Sequence, residues 1–146
     1  MDFILYTPTE FSNCMDLFTG NLDKYFAEGE RAQYEDFLSN EALGGHYYVV
    51  KQGDLTVAAG GYFNHEGAYW MDWGMVCRSQ HKKGIGSQLL NFRIQKIHEI
   101  DANARIKLCT SQYTKAFYQK FGFEVLRFTM HGFGENLHKY EMEKVR

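Results

Sequence analysis

A chain of 146 residues with 16 Lys and Arg against 18 Asp and Glu carries a formal net charge of −2, which gives no broad basic field and excludes nucleic acid as its main partner. The length fits one domain over residues 1–146, and a domain of this size buries about 68–70% of its unfolded surface, enough for a core without disulfide staples. Cys14, Cys77 and Cys109 form neither CxxC nor Cys/His metal spacing, so a reduced, cytoplasmic setting is expected.

The first residues, Met1-Asp2-Phe3-Ile4-Leu5-Tyr6, lack the basic region and long apolar stretch of a secretion signal. Nowhere do about eighteen apolar residues run together, so no membrane association is expected. Residues 3–6 read as a strand, and Thr7-Pro8-Thr9-Glu10 reads as a helix start with Thr7 at the N-cap, Pro8 at N1 and Glu10 closing a capping box. That helix is expected to stop at Gly20. A second helical region covers residues 21–40 with a break near Gly29, because Tyr34, Phe37 and Leu38 regain helical spacing only after Glu30. Residues 46–51 and 55–64 read as a hairpin around Gln52-Gly53-Asp54, and 68–77 as the next strand after Glu66-Gly67. From there Ile85, Leu89, Leu90, Ile94, Ile97 and Ile100 make one apolar stripe against polar Gln88, Asn91, Gln95, His98 and Glu99, which predicts an amphipathic helix. A strand at 105–110, a short helix at 113–121 and strands at 123–130 and 137–145 complete the pattern. This order predicts an α/β fold with a mixed central sheet of about six to seven strands and about four helices. Twelve Phe and ten Tyr predict a tightly packed core and an aromatic-lined pocket.

Between the strand ending at Val76-Cys77 and the helix opening at Ile85 runs Arg78-Ser79-Gln80-His81-Lys82-Lys83-Gly84-Ile85-Gly86. The first N–H groups of a helix have no intrahelical partner and the helix dipole adds positive charge there, so main chain alone can hold an anion. Gly84 and Gly86, without Cβ atoms, let the backbone approach closely. Lys82 and Lys83 disfavour an unliganded helix start and suit one with an anion beside it. A Rossmann turn would need a third glycine where Leu89 stands, and a P-loop would need four residues between its glycines, so both nucleotide readings fail.

His81-Lys82-Lys83-Gly84-Ile85-Gly86 resembles the Gln/Arg-x-x-Gly-x-Gly/Ala turn of the GNAT superfamily of acyl-CoA-dependent N-acyltransferases, with His in the first place. Ala116-Phe117-Tyr118-Gln119-Lys120-Phe121-Gly122-Phe123-Glu124 is similar to that family's A-x-Y-x-K-x-G-F-E stretch. The resemblance implies a GNAT-like fold whose sheet splays between its fourth and fifth strands, with acetyl-CoA as co-substrate. It implies direct transfer of an acetyl group to a primary amine of a small molecule, peptide or protein. Pyrophosphate would then meet the N–H groups of residues 82–87, that is Lys82, Lys83, Gly84, Ile85, Gly86 and Ser87, with Ser87 adding its hydroxyl and His81 opening the turn. The pantetheine arm would pair with the main chain of Val76 and Cys77, and Ser111 stands where the family often has an arm-contacting Asn.

Tyr118 is the expected general acid, since a phenol of ordinary pKa about 10 can protonate a departing thiolate whose thiol has a pKa about 8.5; the family uses a tyrosine at the matching place. Asp72 lies among Tyr69-Trp70-Met71 and Trp73, where burial would raise its pKa and suit it to take a proton from an ammonium group through water. A water chain without Asp72 is the other route. The histidines at 46, 65, 81, 98, 131 and 138 include no i, i+4 pair, so no metal site is expected. The acceptor pocket is expected between the first helices, the strands of Tyr47 and Tyr62, and the turn Gly132-Phe133-Gly134-Glu135, with Glu30, Glu35 and Asp36 available to attract a cation. The competing reading is a non-catalytic acyl-CoA-binding sensor or assembly module, for which Tyr118 would be dispensable. The acceptor's identity, and the choice between a monomer and a homodimer built on the final strands, stay open.

Overall fold

The structure is a computed structural model, and it describes residues 1–145. Seven strands, β1 (Asp2–Leu5), β2 (Tyr47–Gln52), β3 (Leu55–His65), β4 (Ala68–Val76), β5 (Ile106–Thr110), β6 (Phe123–Gly134) and β7 (Leu137–Lys144), join in one sheet of order β1-β2-β3-β4-β5-β7-β6. The helices are α1 (Phe11–Gly20), α2 (Arg31–Ser39), α3 (Ile85–Ile100) and α4 (Lys115–Gln119). Every pairing is antiparallel except β4 with β5, which α3 connects as a crossover.

Strand alternation explains the two layers. Val49 and Ala59 face α1 and α2, packing with Cys14, Leu17, Phe18, Tyr34 and Leu38, while their neighbours Val50 and Ala58 face α3 and meet Ile85 and Leu89. Each buried aliphatic or aromatic side chain there contributes about 1.5–3 kcal/mol by leaving water. A third cluster, with Leu90 and Ile97 of α3 against Ile106, Leu108, Phe123 and Met142, continues the α3 side towards β6. No helix among the described residues is long and apolar enough to cross a membrane.

The sheet opens where β4 meets β5. Their register holds only at Tyr69↔Ile106 and Trp70↔Lys107, after which β4 runs on to Val76 and β5 to Thr110 without pairing, while β5 stays bonded to β7 on its other side. This is the splay between the fourth and fifth strands.

Three local readings differ from the structure. Thr7 makes no capping bond and the chain first takes a short 3-10 turn at Pro8–Glu10. The Glu10 carboxylate instead accepts from Lys51 Nζ at 3.1 Å and Thr56 Oγ1 at 2.7 Å, so an ion pair to the sheet outcompetes the local capping box. Residues 21–27 are not helical, because buried Asn21 donates through Nδ2 to Leu17 O at 2.8 Å and Val76 O at 3.0 Å, ending α1 against β4; α2 starts only at Arg31. Ile100 is 53% exposed, since the core beneath α3 ends at Ile97.

Candidate active site

The turn into α3 is shaped by two left-handed residues, Lys82 at φ +66° and Gly84 at φ +83°. A side chain at such a position costs about 1–2 kcal/mol, so Gly84 is required by conformation and not by space. His81 pins this turn to the sheet: its Nε2 donates to Val76 O at 2.9 Å, and Tyr25 packs edge-on against its ring at 5.1 Å. The first N–H groups of α3, on Ile85, Gly86 and Ser87, are left without intrahelical partners.

A cavity of about 900 Å³ runs from this turn through the splay. Val76, His81, Lys82, Gly84, Gly86, Ser87, Ser111, Asp72 and Tyr118 all line it, together with Met75, Leu108 and Phe117. Cys77, Lys83 and Ile85 do not. The Cys77 N–H donates to Val57 O at 2.7 Å within the sheet, and its side chain packs towards the α1 layer. Ile85 is buried between Val50, Val57 and Ala58, and Lys83 is exposed outside the cavity. Val76 offers its carbonyl to Asn21 and His81. Ser111 is buried, and its Oγ accepts the Tyr113 N–H at 3.3 Å. A Cβ on Gly86 would stand 3.6 Å from Phe117 Cζ and 3.8 Å from Val76 Cγ2, ordinary contact that leaves room for a methyl group and little more.

Asp72 sits where β3 and β4 slip past one another. Ala59 pairs with Met75 and Gly61 with Asp72, so Gly60 faces two residues, Trp73 and Gly74, across a bulge, and Trp73 takes φ +41°. A hydroxyl chain holds this conformation: Tyr34 donates to Tyr47 at 2.8 Å, and Tyr47 donates to Trp73 O at 2.8 Å. One oxygen of Asp72, Oδ1, is buried without a hydrogen-bond partner. Burial pushes the Asp72 carboxyl up to about 7, with the Arg93 guanidinium pulling it back and Glu41 adding to the rise. Tyr118, on α4, is half-buried against Phe117 and Phe123.

Beside the main cavity lies a smaller one of about 380 Å³, lined by Asp36, Glu41, His46 and the rings of Phe37, Tyr47 and Tyr62. Asp72 and Trp73 line both cavities, so the carboxylate stands at their junction. Of the carboxylates read as cation attractors, Glu30 lines the larger space and Asp36 the smaller, while Glu35 lines neither; Gly132 and Phe133 of the expected turn line the larger space.

The arrangement can hold an extended anionic ligand by main chain at one end and place a polar reaction between a carboxylate and a phenol at the other; its volume falls within the usual range of about 300–1,000 Å³ for ligand sites. That is the layout of a group-transfer enzyme. The family model described as "Acetyltransferase (GNAT) domain" matches residues 43–125, more than half of the chain, and the protein belongs to the GNAT acetyltransferase family. Among solved structures the fold is similar to ribosomal-protein-alanine N-acetyltransferase from Brucella melitensis, with a TM-score of 0.78 and 15% identity over 100% of both chains.

 Ard1 from Thermoplasma volcanium gives a TM-score of 0.79 and is 15% identical over 98% of this chain and 95% of that one. Arabidopsis thaliana Naa50 in complex with the bisubstrate analogue CoA-Ac-MVNAL gives 0.75 at 18% identity, covering 99% and 98%. No curated protein matches the chain in sequence.

Two site features escaped the sequence reading. Arg93 is 3% exposed and lines the main cavity; its place four residues after Leu89 and four before Ile97 puts it on the apolar stripe of α3, which was the available signal. Gly60 and Gly74 inside strand patterns were the signal for the bulge.

Proposed function

We propose that this protein moves an acetyl group from acetyl-CoA to a primary amine. The carrying observation is that one cavity joins the N-terminal turn of α3 to both Asp72 and Tyr118 through the opened β4–β5 seam. In this reading the N–H groups of the turn and Lys82 hold the pyrophosphate, Ser87 adds a hydroxyl, and Met75, Leu108 and Phe117 give the arm apolar walls. Acetyl-CoA supplies the activated acyl thioester. Asp72 takes a proton from the acceptor's ammonium group, directly or through one water, which frees the nitrogen lone pair for attack. As the C–N bond forms and the C–S bond breaks, Tyr118 gives its proton to the departing sulfur, and the proton still held by the new amide nitrogen passes through solvent to restore the phenol. The likeness in fold to proteins named for alanine N-acetylation and bound to a CoA–peptide conjugate supports an amine acceptor.

The test is thiol release from acetyl-CoA by the purified protein across a panel of small diamines, aminoglycosides and short peptides with free N-termini. Release that depends on an amine, with the acetylated amine found by mass spectrometry, is the expected result. Tight acetyl-CoA binding with no transfer to any amine would favour the non-catalytic sensor.

A further inference from the structure

Arg93 reaches from α3 to the underside of the β3–β4 bulge, and both strands give up a side chain there. A Cβ on Gly60 would stand 3.2 Å from Arg93 Cζ, and one on Gly74 3.0 Å from Nη2 and 3.1 Å from Nη1. The guanidinium is nonetheless poorly bonded: Nε has no partner, and Nη1 donates to Gly61 O at a long 3.4 Å. Burying an ion costs several kcal/mol unless opposite charge offsets it, and the carboxylate that interacts with Arg93 electrostatically is Asp72. The other titratable groups facing Asp72 are Glu41, after α2, and Tyr47, on β2; Asp36, His46 and Tyr62 line the same smaller cavity. Arg93 is the cation that acts on Asp72, while Lys82, Lys120 and Lys139 also line the larger cavity.

We propose that Arg93 is a positioning residue: seated between Gly60 and Gly74, it props the bulge that aims Asp72 into the cavity and sets a positive charge behind the strand that carries its carboxylate. Its bearing on catalysis rests on Asp72 acting as the base, but its effect on Asp72 does not. Burial alone favours the neutral acid, which cannot accept a proton, and Arg93 acts against that burial.

The experiment is a carbon-13 NMR titration of the Asp72 carboxyl, assigned by its absence in Asp72→Asn, in the parent, Arg93→Met and Arg93→Lys. Met keeps an unbranched apolar stem without charge, and Lys keeps the charge. The expected result is a midpoint raised by about one to three pH units in Arg93→Met, the size of a lost opposite charge, and held close to the parent value in Arg93→Lys. If transfer is observed, the acid limb of kcat/KM moves with the midpoint, and the Arg93→Met rate recovers at high pH. Should Arg93→Met fail to fold, Arg93→Gln, uncharged but with a polar end for the Gly61 carbonyl, is expected to raise the midpoint in the same direction. An Asp72 midpoint unchanged in whichever uncharged variant is read, Arg93→Met or Arg93→Gln, overturns the proposal. Absence of transfer with the midpoint shifted contradicts the enzymatic reading and leaves the Arg93 proposal standing.

Discussion

Tyr118→Phe is expected to lower the turnover of acetyl transfer by about 10²–10⁴, the usual contribution of a positioned proton donor. The phenol is half-buried against Phe117 and Phe123 and lines the cavity, so removing one oxygen leaves the packing in place. Binding of acetyl-CoA, which we assign to the α3 turn, should be unchanged. Single-turnover kinetics beside a binding titration separates the two. Equal rates of transfer for the variant and the parent would contradict a general-acid role for Tyr118.

Asp72→Asn is expected to lower kcat/KM by about 10²–10⁴ above neutral pH, where a general base would be ionised, and to remove a rise in rate centred near the Asp72 value of about 7. The same substitution has an opposite effect on stability. A carboxyl raised from 3.8 to about 7 binds its proton more tightly in the folded chain than in the unfolded one, so its contribution to stability falls as pH climbs between those two values. Asn does not titrate. The variant should therefore outlast the parent in urea above neutral pH, with the advantage fading towards pH about 4. A variant as active as the parent at every pH would point to a water chain alone.

Much of this was legible in the sequence because it rests on period and punctuation. Alternation around Val49-Val50 and Ala58-Ala59 gives the two faces of the sheet, and the glycine-containing turn before Ile85 gives the start of α3. The aromatic neighbours of Asp72 made burial one reading of it, against an acid that pairs with a backbone group or faces solvent, and its Oδ1 is buried. What periodicity does not carry is the bulge: Trp73 at φ +41° breaks the strand pattern through contacts with Tyr34 and Tyr47, residues distant in sequence. Arg93 was passed over because a charged residue on an apolar stripe reads as an interruption until its opposing charge is seen across the strands. Cys77 and Ile85 stand beside cavity residues in sequence, yet strand and helix geometry turns them into the core. Glu10 shows a local rule losing to a distant cation, Lys51.

The central claim is that the turn into α3 holds acetyl-CoA, and a calorimetric titration of the parent, Gly86→Ala and Gly86→Val with acetyl-CoA tests it most directly. A methyl group fits at ordinary contact beside Phe117 and Val76, whereas the branched side chain intrudes on the cradle. Binding by the parent and by Gly86→Ala, with a loss of at least about tenfold, or 1.4 kcal/mol, in Gly86→Val, is the predicted result. No heat of binding from the parent, or equal affinity in all three, would contradict it.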